Sequence, residues 1–297
     1  MANTINYAEK YVPLLDAKYK QESKTSVLDI DNDLLRESEM ANTVYIPKMT
    51  IDGLGDYDRS AGYPEGATTF EWQSHTLTQD RATEFNVDRV DNQDTLDMAF
   101  GRLSGEFIRL HVAPEVDAYR FAQMSSSANN VVNADIDNTD TVEAIDTAIA
   151  TMDNAEVPAE GRILFVTPTV YKNIKQSDLF DRDFVNIGDM SFDVFDNMPV
   201  VKVPQSRFYT GITLNDGSSD FGYAATTGGT EYEINFMIVH QNAVLPVPKL
   251  EVPKTFSPDV NQSKDAWKFQ FRLHHDIFVP DNKVDGIYVH TKGTAIS

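Results

Sequence analysis

The chain has 297 residues, 41% hydrophobic and 10% aromatic, with 46 acidic and 25 basic side chains for a net charge of −21. This supports one large domain or two to three small ones with a real core, and argues against wholesale disorder. So acidic a balance argues against nucleic-acid binding as the main task, which needs clustered Lys and Arg. With no cysteine, disulfides, thiolate nucleophiles and cysteine–zinc sites are excluded. The start, "MANTINYAEKY", has neither the basic nor the apolar region of a signal peptide, and no apolar run approaches a membrane span.

Residues 1–42 are polar and mixed. Ile5, Ala8, Tyr11, Val12 and Leu15 recur at helical spacing, but Pro13 interrupts them. Short helical pieces in an extended arm are the expectation, with its ordering left to another chain. "TVYIPKMT" (43–50) is strand-like, and the period-two pattern after position 68 puts Phe70 with Trp72 and Phe85 with Val87. Residues 43–90 together read as a long β-hairpin. Its middle is "DGLGDYDRSAGYPEG" (52–66), with four glycines.

Leu96, Phe100, Leu103, Phe107, Leu110, Ala118 and Phe121 form one helical stripe. The spacing predicts a helix of roughly 30 residues, about 45 Å long. Pro114 should bend it near Leu110. Asp140 and Glu143 suggest a capping box for a helix over 140–153, with Val142, Ile145 and Ile149 inward. "RILFVTPTVYKNI" predicts a buried strand at 162–166, an N-cap at Thr167 and a helix opening on Pro168. Strands are expected at 199–203, 221–225 and 232–240. Four prolines between 245 and 258 enforce an extended segment. In "AWKFQFRLHHDIFV", Trp267, Phe269, Phe271, Leu273, His275, Ile277 and Val279 alternate with polar residues, and "VDGIYVHT" returns. The fold class is α+β, mixed and mostly antiparallel, with a long helix across a sheet.

The glycine-rich stretch invites three chemical readings. A phosphate loop needs Lys after its last glycine and a helix next; here no Lys follows, a strand comes next, and the local charge is −3 (Asp52, Asp56, Asp58 and Glu65 against Arg59). A calcium loop could start at Asp56, Asp58 and Ser60, but its sixth and twelfth positions are Ala61 and Ala67 where Gly and Glu are required; the Asp135, Asp137, Thr139 run fails at Asp140. The third reading is an interaction element, with Tyr57, Arg59, Tyr63 and Trp72 as inter-subunit contacts, because an isolated two-stranded hairpin needs a surface to lie on. The competing bland reading is a simple cross-strand pair of Phe70 and Trp72. His274-His275-Asp276 could suggest catalysis, but successive strand residues face opposite ways. His275 reads as a core histidine and His274 as a solvated one. No familiar hydrolase or zinc motif occurs, so no catalytic, metal or cofactor site is assigned.

The stretches "GLGDYDRSAGYPEGATTFEWQSHTLTQDRATEFNVD", "DNQDTLDMAFGRLSGEFIRLHVAPEVDAYRFA" and "FRLHHDIFVPDNKVDGIYVH" together resemble the major capsid protein of tailed bacteriophages. The resemblance runs from about residue 3 to 291 and is weakest over 176–232. It implies a Hong Kong 97-type fold: an N-terminal arm (1–42), an extended loop (43–88), a peripheral domain (89–134 and 244–297) with a spine helix at 92–124, and an axial domain (135–243). It also implies a non-enzymatic, self-assembling icosahedral shell of hexamers and pentamers around double-stranded DNA, located in the virion and assembled in the host cytoplasm. A chain starting at Met1 leaves no room for a cleaved scaffolding region before the arm, so a separate scaffolding protein and a portal are expected partners. Lys48 lies near the loop, yet spacing identifies no crosslinking partner. Alternatives are an encapsulin-like compartment and an acidic metal-dependent hydrolase.

Overall fold

The computed structural model describes residues 23–29, 36–37, 43–57, 59–60, 62–90, 105–176, 184–187 and 190–296. It separates into two compact units, Asp31–Gln79 and the remainder. The stripe residues Leu96, Phe100 and Leu103, most of the arm and residues 177–183 lie outside the described residues.

In the smaller unit, β1 (Arg36–Glu37) pairs with β2 (Thr43–Ile51), which pairs antiparallel with β3 (Thr68–Thr76). The register sets Pro47 opposite Trp72, Met49 opposite Phe70 and Ile51 opposite Thr68. One face therefore collects Met49, Ile51, Phe70 and Trp72. On the other face Val44 and Ile46 are buried near the base, while Thr50 and Thr69 share a 2.6 Å hydroxyl bond near the tip. The sequence reading joined 43–90 into one hairpin. Only β2 and β3 form it; β4 (Gln79–Asp88) pairs instead into a sheet of the other unit, because its Phe85 and Val87 have an apolar helix to cover there.

In the larger unit, a seven-stranded mixed sheet runs β5–β15–β12–β6–β9–β8–β7. Its strands are β5 (Asn130–Asn133), β6 (Arg162–Val166), β7 (Phe184–Ile187), β8 (Met190–Phe195), β9 (Met198–Lys202), β12 (Tyr232–His240) and β15 (Ile287–Ala295). β6 is buried throughout, as its unbroken apolar run predicts. Helices α2 (Thr141–Asn154) and α3 (Pro168–Gln176) pack on one face through Ile145, Met152, Val170 and Ile174 against Leu164, Val166, Phe236 and Ile238. The other face, with Ile163, Phe165, Met237 and Val239, receives Tyr119, Phe121 and Met124 of α1 (Ala113–Ser127). A short hairpin, β10 (Ile212–Leu214) with β11 (Tyr223–Ala225), stands apart.

A second sheet orders β13 (Leu245–Phe256), β14 (Ala266–Phe278) and β4. Phe269, Phe271 and Leu273 of β14 pack with Phe85 and Val87 against Phe107, Ile108, Val112 and Val116. The helical stretch 105–127 thus lies across both sheets, its first half on the small one and its second half on the large one. The C-terminal segment divides likewise: β13 and β14 join the small sheet, β15 the large.

Four details correct the sequence reading. Leu110 is 51% exposed rather than inward. Residues Ile108–Val112 form a π-helical segment ahead of Pro114, whose missing N–H leaves the Leu110 carbonyl without its helical donor. The wider turn shifts the phase, so Ile108 and Val112 take the buried stripe. Asp140 does occupy the N-cap of α2 but makes no side-chain cap there. Asp137 Oδ1 instead accepts the Thr139 and Asp140 amides (2.7 and 3.3 Å) and the Thr139 hydroxyl. These contacts hold the Asp137 carboxyl below its usual range. His274 is buried at 6% exposure, not solvated, because the second half of β14 is covered on both faces. And residues 23–29, within the expected arm, are held by this chain's own core: Val27 and Leu28 join the cluster under α1.

Candidate assembly surface

The loop between β2 and β3 closes on itself through Asp52, whose amide donates to the Ala67 carbonyl (3.1 Å) and whose carboxylate accepts the Ala67 amide (2.8 Å). Gly62 sits at φ +88°, in the region that favours glycine, and Gly55 lies so near the Pro64 ring that a Cβ would meet it at 2.9 Å. Glycine thus allows the positive φ at position 62 and the close approach of residue 55 to Pro64.

Of the four predicted contact residues, Tyr57 and Tyr63 come together as an edge-to-face pair with centroids 5.0 Å apart, at 58% and 87% exposure. Arg59 is exposed at the turn beside them. Trp72 lies on the hairpin face, edge-on to Phe70 at 5.6 Å. The two lie on the same strand, so they meet along β3 rather than across the hairpin, and they remain 61% and 41% exposed. Sequence reasoning missed Met49, Ile51 and Leu54, which extend the patch; Leu54 is fully exposed. The signal lay in the alternation of β2, once its partner register is known. Exposed apolar side chains aligned on one face make this a candidate docking surface. Covering each such side chain contributes about 1.5–3 kcal/mol before ordering costs.

The other candidate chemistry has a structural use. Tyr119 donates its hydroxyl to Asp276 Oδ1 (2.7 Å) and meets the His275 ring edge-on at 5.5 Å. Burial, with Arg120 nearby, pushes His275 down to about 3. Among the described residues no three His, Asp or Glu side chains converge in a way that could hold a metal ion.

A buried polar clamp was also invisible to the sequence reading. Asp117, fully buried, accepts from Ser23 Oγ (2.7 Å), Thr25 Oγ1 (2.7 Å), the Lys24 amide (2.9 Å), the Thr25 amide (3.1 Å) and Arg207 Nη1 (3.0 Å). Arg120, one turn on, donates to Thr25 Oγ1 (3.1 Å) and pairs with Asp29 (2.9 Å). Both are polar residues on a helix whose sequence stripe names only its apolar face.

No protein-family model matches the sequence, and no curated protein does. Solved structures match by fold. The chain is similar to one in the capsid structure of cyanophage P-SCSP1u, with 16% identity, TM-score 0.58, and 88% of this chain and 86% of that one covered. It is similar to a chain in the mature capsid of bacteriophage PhiM1, with 10% identity, TM-score 0.60, and 89% and 90% covered. A virus-like particle from Pyrococcus furiosus matches at 10% identity and TM-score 0.51 over 96% of this chain and all of that one. At such identities the likeness establishes the fold. The chain is a mixed α+β protein with the fold of phage capsid chains.

Proposed function

We propose that this chain is the major capsid protein of a tailed phage, of the Hong Kong 97 type, and that identical copies close into an icosahedral shell around double-stranded DNA. The observation that carries the reading is a capsid-type fold, matched over nearly nine-tenths of the chain, bearing a hairpin with one apolar face in water. In this reading Tyr57, Arg59, Tyr63 and Trp72 lie on a neighbouring copy, and the acidic tip finds Lys or Arg partners there. The resemblance divides the chain into an arm (1–42), an extended loop (43–88), a peripheral domain (89–134 and 244–297) with a spine helix at 92–124, and an axial domain (135–243); against that division β4 joins the small sheet and β15 the large one. Copies form hexamers and pentamers with a separate scaffolding protein and a portal; the shell assembles in the host cytoplasm and ends in the virion. The protein acts by geometry, without catalysis. A surface as acidic as −21 per chain does not grip packed DNA, which eases its entry and exit.

The virus-like particle from Pyrococcus furiosus favours a second reading, an encapsulin-like compartment. Negative-stain microscopy of the purified protein tests both. Closed shells are the expected result, and nuclease-protected DNA inside particles made during infection separates a capsid from a compartment filled with protein. Deletion of residues 50–68 should leave folded subunits and no closed shells; normal particles from that variant would refute the role of the loop.

A further inference from the structure

The hairpin of β10 and β11 is held differently at its base and at its tip. At the base, Ile212 and Leu214 pack against the main core, and the Tyr223 hydroxyl donates to the Ser206 carbonyl (2.8 Å). Beyond Leu214 the turn is bonded to itself. The Asn215 amide donates to the Gly222 carbonyl (2.9 Å) and the Gly217 amide to the Asp220 carbonyl (3.1 Å). The Ser218 amide and hydroxyl donate to Asp216 (3.0 and 2.7 Å). Residues 215–222 are therefore a small preformed unit. Phe221, its one aromatic side chain, is 75% exposed, so apolar burial does little to fasten it.

Among the described residues, the hydrogen bonds that join this tip to the helix and the small sheet come from one side chain. Arg81 of β4 donates through Nη1 to the Asn215 carbonyl (2.6 Å) and through Nη2 to the Gly222 carbonyl (3.3 Å), gripping both sides of the neck. Its Nε donates to Glu115 of α1 (2.7 Å), which orients the guanidinium. Three nitrogens of one planar fork thus hold three acceptors, a geometry that a single ammonium cannot copy.

The tip also lines a cavity of about 460 Å³, through Asn215, Gly217 and Phe221 among others. The rest of the lining includes Phe107, Val112, Phe271 and Leu273, part of the apolar layer between the helix and the small sheet. With the tip in place Val112 and Leu273 are each only 7% exposed. A tip that lifted away would uncover this layer without disturbing the large sheet. Segments with few buried apolar contacts open locally at the least cost, so the strength of the Arg81 grip sets how often that happens.

We infer that residues 215–222 form a flap over this apolar cavity and that Arg81 is its latch: closed, the flap shields the layer around Leu273; released, it opens that layer to solvent or to an incoming apolar group. This goes beyond the shell reading and does not depend on it. Two variants of the full chain test it. Arg81→Gln removes the fork, and Arg81→Lys keeps the charge opposite Glu115 but cannot also serve both carbonyls. Hydrogen exchange read by mass spectrometry should run at least ten times faster over 212–225 in the glutamine variant and to an intermediate extent in the lysine variant, with β6 and β12 unchanged. The chain has no cysteine, so Leu273→Cys supplies a single reporter in the cavity. A thiol reagent should modify it at least ten times faster when Arg81→Gln is also present. Exchange over 212–225 equal to the wild type in both variants would show that Arg81 does not hold the tip. Equal acceleration in β6 and β12 would show a general loss of stability in place of a local flap. Faster exchange without faster thiol modification would show that the tip does not cover the cavity. Each of these results overturns the inference.

Discussion

Replacing Asp117 with alanine should release residues 23–29 without unfolding the body. The carboxylate makes four charge-assisted bonds to this segment, at about 1.5–3 kcal/mol each. Val27 and Leu28 add about 1.5–3 kcal/mol apiece from burial. Against these stands roughly 1–2 kcal/mol of backbone entropy for each of the seven residues held in place. The two sides are close, so the segment is only modestly stable and the carboxylate decides the balance. Without it, apolar burial alone falls short of the ordering cost, and a detached segment hydrates donors that would otherwise be stranded at about 1–3 kcal/mol each. Hydrogen exchange read by mass spectrometry should show amides 24–29 losing their protection, while β6 and β12, at the centre of the large sheet, keep theirs. Asp117→Asn, which retains an acceptor, should fall between. If 24–29 stay as protected in the alanine variant as in the wild type, the clamp is not what holds them.

Acid should weaken the fold through His275. Its folded pKa is pushed down to about 3 from an unfolded value of 6.5, so the group costs nothing above pH 6.5 and opposes folding progressively as pH falls towards 3. At pH 4.5 the cost is on the order of 3 kcal/mol, and His275→Leu should flatten the pH dependence of urea unfolding by about that amount between pH 7 and 4.5; equal slopes would refute the burial argument. Phe70→Ser with Trp72→Ser should change subunit stability by less than about 0.5 kcal/mol, since both are exposed, while abolishing particles in light scattering; a large fall in subunit melting temperature would mean the pair supports its own fold instead. Raising NaCl from 0.1 to 1 M shortens the Debye length from about 10 to 3 Å, so copies carrying −21 each should assemble more readily; assembly that weakens with salt would point to ion pairs as its driving force.

Features with a local cause were legible in the sequence. Thr167 and Pro168 start α3 where cap chemistry puts them, with the Val170 amide 3.4 Å from the Thr167 hydroxyl. The alternation through Phe269, Phe271 and Leu273 gives the buried face of β14. Pro114 marks the place where the helix departs from regular geometry, but not how. A kink was the expectation; a π turn resulted, and it moved Leu110 out to solvent. Features set by distant partners were not legible. β15 lies beside β5 through pairs such as Tyr288 with Asn130, which no local pattern encodes. Asp117 looks like a solvated helix residue until Ser23 and Thr25 arrive from more than ninety positions away.

The same distinction explains why the hairpin is the clearest statement about function. Elsewhere, residues that looked exposed by type proved to be buried and partnered: His274, Asp117, Arg120. On the hairpin the reverse holds. Met49, Ile51, Phe70 and Trp72 are apolar by type, aligned on one face by register, and left in water at 41–62% exposure. A chain that satisfies a fully buried aspartate with five donors has not left this face uncovered through poor packing. Among the described residues nothing covers it, and under the proposed shell reading a neighbouring copy is what would.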